Sequence, residues 1–158
     1  MTSASIQEIK KELQHLDPDT LQALCLRLAK YKKENKELLN YLLFEAHDEP
    51  AFVRSVKEEL ATLFEDLPSS SVYLMKKSIR KVLRFLNRQV KYSSVTRSEL
   101  ELRIFFCTKM KAARVPLATG TVLFNLYAQQ IKKIEGALAK LPEDIRADYD
   151  RDLSMIIP

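Results

Sequence analysis

The stretch VYLMKKSIRKVLRFLNRQVKY, residues 72–92, decides the fold class, because its apolar and charged side chains separate at a helical period. At about 100° per residue, Val72, Met75, Ile79, Val82, Leu83, Leu86 and Val90 share one arc, whereas Lys77, Arg80, Lys81, Arg84, Arg88 and Lys91 share the opposite one. Tyr73 lies among the cations, and Leu74, Phe85 and Tyr92 flank the apolar stripe. The serines at 69–71 offer N-caps, so the spacing predicts a helix over 71–91 with one wet, cationic side.

The rest of the chain agrees with that period. Glycine occurs twice in 158 residues, where average usage gives about eleven. Hairpins, bulges and phosphate-cradling loops need glycine for positive φ or close backbone approach, so a chain this poor in it has few such places. Upstream, Ile6, Ile9, Leu13 and Leu16 mark a short helix over 3–15, and Asp17-Pro18 caps and opens the next. Its apolar rhythm through Leu21, Leu24, Cys25, Leu28 and Tyr31 is interrupted by KKENKE and resumes at Leu38, Leu39, Leu42, Leu43 and Ala46. A single helix over 18–46 would put Lys32 and Asn35 on the apolar face. A helical hairpin turning near Glu34 and Asn35 avoids this and is the favoured reading.

Pro50 opens a helix that closes before Pro68, and Thr96-Arg97-Ser98-Glu99 forms a capping-box pattern for one from 97 to about 113. Further helices are predicted over 121–140 and from Pro142 to about Leu153. The expected fold is therefore all-α, one domain over residues 1–158. About eight helices would form an irregular stack of antiparallel helical hairpins, with a closed helical bundle as the alternative.

The stretches LCLRLAKYKKENKELLNYLLFEA (24–46) and KKIEGALAKLPEDIRADY (132–149) resemble an uncharacterised all-helical protein family of Bacteroidota. The resemblance implies a bacterial, cytoplasmic protein and carries no activity or site residues.

Composition narrows function mainly by exclusion. The two glycines, Gly120 and Gly136, are too far apart for a P-loop or a dinucleotide fingerprint. Glu45, His47, Asp48 and Glu49 before Pro50 read as a solvated turn rather than metal ligands, and His15 as a helix-end residue. Cys25 and Cys107 lie in apolar runs and read as small buried hydrophobes. No nucleophile, base or paired carboxylates stand out, so no enzyme, cofactor or catalytic residue is expected. With no apolar run near 18 residues, no membrane partner is expected either, and a cytoplasmic setting fits best.

Charge is the one positive signal. Residues 67–98 hold eight basic side chains and no acid, against nine basic and thirteen acidic in 1–66, and nine and eight in 99–158. The formal +5 of the chain thus comes from one segment. The candidate site is the stripe Lys77, Arg80, Lys81, Arg84, Arg88 and Lys91 with Tyr73, about 21 Å from end to end at a rise of about 1.5 Å per residue. As an outer face it would be balanced by acids such as Glu58 and Glu59 or those of the final helix. As a binding face it would take an acidic protein surface or nucleic acid. Phe85 and Tyr92 would add base-stacking surfaces if exposed. These residues point to a non-enzymatic helical adaptor or macromolecule-binding module, with nucleic-acid binding through the basic face as the alternative.

Overall fold

A computed structural model describes residues 2–158, and among these every regular element is helical. The helices are α1 (Ile6–Leu13), α2 (Pro18–Tyr31), α3 (Lys33–Asn40), α4 (Glu49–Glu65), α5 (Val72–Ser93), α6 (Thr96–Ala112), α7 (Val122–Ala139), α8 (Glu143–Ala147) and α9 (Asp150–Ile156). A single π-helical turn, Tyr41–Glu45, continues α3. The all-α expectation holds, with the predicted last helix divided into α8 and α9. The sequence reading takes residues 1–158 as one domain; the chain groups into two compact units, one ending at Leu43 and the other spanning Phe44–Pro158.

In the first unit, α2 and α3 fold back on each other. The break falls at Lys32, whose extended backbone (φ −140°, ψ 145°) interrupts the helix, slightly ahead of the predicted turn at Glu34 and Asn35. Asn35 instead stabilises the end of α2, where its side-chain amide donates to the Leu28 carbonyl at 2.8 Å and satisfies one of the acceptors left open there. Asp17 caps α2 through the Thr20 amide (3.2 Å), with Pro18 at the first turn as its sequence implies. Among the described residues up to Leu43, Tyr41 alone is buried.

The second unit gathers around α6, which packs against α4, α5, α7 and α9, a set of helices about a central one. A helix so surrounded must be buried on several sides. Leu100, Leu102, Ile104, Phe106, Cys107 and Met110 accordingly all lie inside. Phe106 meets Phe64 of α4 edge to face, with ring centres 5.5 Å apart. Cys107 is buried as its apolar run implied, and burial pushes its thiol up to about 12, whereas Cys25, given the same reading, is exposed because it lies on the open side of α2.

The turn from α5 to α6 is tight. Ser94 adopts a left-handed conformation (φ 56°) and its amide reaches the Val90 carbonyl. Both Ser93 and Ser98 donate to the same carboxylate oxygen of Glu49 at the start of α4, Ser93 at 2.9 Å. The expected capping box does not form. α6 begins one residue earlier, after Val95, and Glu99 turns along the helix to Arg103 at 2.9 Å. Ser93 does the capping work of this turn by accepting from the Val95 amide at 3.3 Å.

Candidate functional site

α5 owes its orientation to its apolar arc. Ile79, Val82, Leu86 and Val90 are buried against the second unit's core, and Ser71 caps the helix by accepting from the Leu74 amide. The opposite face is therefore fixed outward. Lys77, Arg80, Lys81, Arg84 and Lys91 are exposed. No carboxylate among the described residues pairs with any of these five, whereas the acids proposed as their balance lie elsewhere. Glu58 and Glu59 stand exposed on α4 without an ion pair, and Asp148 faces Arg97 at 4.0 Å.

Arg88 differs from the other five. It is half-buried and held by an interaction of its own, so it belongs partly to the fold. Tyr73 is 66% exposed at the other end of the stripe, with the Lys76 ammonium 5.7 Å from its ring centre. The remaining aromatics correct the expectation of a stacking platform, since Tyr92 is buried and Phe85 half-buried. The apolar arc also departs from its prediction at one end: Val72 is exposed, beside exposed Leu74.

The positive field continues past α5 in a way the sequence does not reveal. Lys133 on α7 has its ammonium pKa lowered, first by desolvation and then by the charge of Arg103, against a raising contribution from Glu99, with Lys91 adding the smallest lowering. Lys91 and Lys133 are thus electrostatic neighbours although 42 positions separate them in the chain.

Beneath this face lies the one buried guanidinium among the described residues. Arg103 is 4% exposed and donates from Nε to Glu99 (2.9 Å) and from Nη1 to Asn87 (3.0 Å) and Gln130 (2.8 Å). It joins α5, α6 and α7, and its polar partners are complete enough to make it a structural tie.

Two clefts in the second unit test for enzymatic chemistry. The larger, about 370 Å³, is lined by Lys57, Glu101, Phe105, Thr108, Tyr149 and Asp152. Of its two carboxylates, Asp152 is exposed and Glu101 is already committed: Glu101 accepts from the Tyr149 hydroxyl at 2.9 Å and faces Lys57 and Arg97, each at 3.6 Å. Tyr149 in turn accepts from Arg97 Nε at 2.8 Å. Burial and then the bond to Glu101 raise the Tyr149 pKa, which suits a hydroxyl locking α9 to α6 rather than an ionised one.

The smaller cleft, about 220 Å³, includes Glu45, His47 and Asp48. Asp48 is occupied as the N-cap of α4, accepting from the Ala51 amide at 3.1 Å. No group of three potential metal ligands occurs among the described residues, and none of their helices is long and apolar enough to cross a membrane.

No family model matches the chain, and no curated protein or solved structure matches it.

Proposed function

We propose that the protein is a non-enzymatic helical module that binds nucleic acid through the outward face of α5. The observation carrying this reading is the row of five exposed cations, Lys77, Arg80, Lys81, Arg84 and Lys91, none of them paired with a carboxylate among the described residues. Isolated surface cations are common, but a helix side without any acid is unusual, since exposed helices normally intersperse signs at i,i+4. An acidic protein would meet the same charges. Protein interfaces, however, concentrate their energy in aromatic and apolar anchors, and between Lys77 and Lys91 this stripe presents cations with no exposed apolar side chain, the exposed Val72, Tyr73 and Leu74 lying beyond its N-terminal end. Phosphate backbones ask for that pattern, because counterion release supplies the affinity without base contacts.

Anisotropy of a labelled short duplex and a labelled single strand, titrated with protein at about 50 mM salt, tests the reading. Five phosphate contacts predict a log–log slope against salt of about −4.5 for duplex and about −3.5 for a single strand. Charge reversal at Arg80, Lys81 and Arg84, three residues outside the core, should abolish the signal. No binding by the wild type at low salt, or equal binding by the reversed variant, overturns the proposal.

A further inference from the structure

The α2–α3 hairpin shows an apolar face that its own two helices leave uncovered. Leu28 is 61% exposed and Leu42 57%, Cys25 is exposed, and between the two helices runs a groove of about 220 Å³ also lined by Ala29, Leu38 and Leu39. A helix of fourteen residues is marginal in water, and most helical stability comes from packing an amphipathic face. Here each helix packs on the other along one edge, and a continuous apolar strip across both remains open.

We infer that this strip is the interface for a second copy of the same chain, the two hairpins closing face to face into an antiparallel four-helix bundle. Charge complementarity selects this occupant. α2 carries Asp17 and Asp19 at its start, while Arg27, Lys30, Lys32, Lys33 and Lys36 gather near its end and around the turn, outnumbering the acids there, Glu34 and the Glu37 that pairs with Lys33 at 3.7 Å. Turned end for end, a second hairpin sets the acidic end of each α2 beside the basic turn of the other. The same patch then serves both partners, as a two-fold interface requires. A parallel pairing would instead oppose one net-positive turn to another. Residues 1–43 as a whole hold seven basic and six acidic side chains, so net charge does not oppose self-association.

The inference does not depend on what α5 binds. Its test is the mass of the full chain by light scattering and sedimentation at about 100 μM, where a micromolar interface is largely filled. The expected mass is twice the 18.3 kDa of the chain. The double variant Leu28→Glu/Leu42→Glu should run at the monomer mass with an unchanged far-ultraviolet spectrum, because both side chains already meet solvent within the single chain.

A second measurement uses the wild type and does not rely on the variant folding. Cys25 lies in the groove, while Cys107 is buried. The thiol-labelling rate of Cys25 should therefore fall in proportion to the unpaired fraction as protein concentration rises. A monomer at about 100 μM would overturn the inference and leave the strip for a different partner. So would a double variant that stays dimeric, or a fast Cys25 labelling rate independent of concentration.

Discussion

Arg103 on α6 and Gln130 on α7 meet at 2.8 Å with 4% and 1% of their surfaces exposed, a charge-assisted hydrogen bond sealed inside the second unit. Asn87 on α5 accepts from the same Nη1, so one guanidinium sets the positions of three helices. A buried cation is tolerated only when its donors are met, and losing one acceptor leaves a desolvated N–H. Gln130→Leu keeps the approximate volume but removes that acceptor. It should cost about 1–3 kcal/mol, lowering Tm by roughly 2–4 °C per kcal/mol for a chain of this size. An unchanged melting curve would show that Arg103 finds a replacement acceptor.

Gly136 sits within α7, and a Cβ built there meets nothing within 4 Å. Its backbone is helical, so the flexibility it adds favours only the unfolded chain. Gly136→Ala should stabilise the protein by about 0.5–1 kcal/mol, read as a rise in the urea midpoint at constant slope. Gly120 behaves oppositely: at φ +86° any side chain is strained despite the open space around it, so Gly120→Ala should destabilise.

The basic face should be nearly silent in stability. Arg80→Glu and Arg84→Glu alter exposed, unpaired side chains and should each change stability by no more than about 0.5 kcal/mol. Arg88→Glu should cost distinctly more, because Arg88 is half-buried and engaged. Urea denaturation of the three single variants separates the open cations from the committed one. Equal effects at all three positions would place Arg88 back with the others.

The face of α5, the caps at Asp17 and Ser71 and the all-helical class were legible because each depends on local spacing. Coverage of a face does not. Cys25 and Cys107 sit in equally apolar runs, yet Cys107 falls inside the ring of helices around α6 and Cys25 lies on an open hairpin. Periodicity marks the apolar side of α2 without saying whether anything packs on it. The same limit hid Arg103, whose acceptors Asn87 and Gln130 are 16 and 27 positions away. It hid the Tyr149–Glu101 bond as well, 48 positions apart. Even at short range, Glu99 had two attractive options, the helix start and Arg103. The buried charge took it.

Alkaline pH should unfold the protein through three buried acids. Cys107 is pushed by burial from 9.0 up to about 12, and Tyr127 and Tyr149 are raised from 10.0, each by burial first. A folded state that keeps these protons longer than the unfolded chain binds more protons above pH 9, so stability falls as pH rises. Below the unfolded values all three groups are neutral in both states, and their contribution is complete and flat. Lys133, shifted downward, acts in the opposite sense, but its exposure screens the effect. Urea midpoints should therefore hold steady to about pH 8.5 and then decline, with Cys107 alone accounting for up to roughly 4 kcal/mol by pH 12. Cys107→Ala removes the first of these protons. It should lower stability at neutral pH by leaving a small void, yet flatten the decline between about pH 9 and 10, before the tyrosines titrate. A wild-type midpoint constant to pH 11, or an equally steep early decline in the alanine variant, would mean that the Cys107 thiol is not sealed in the core around α6.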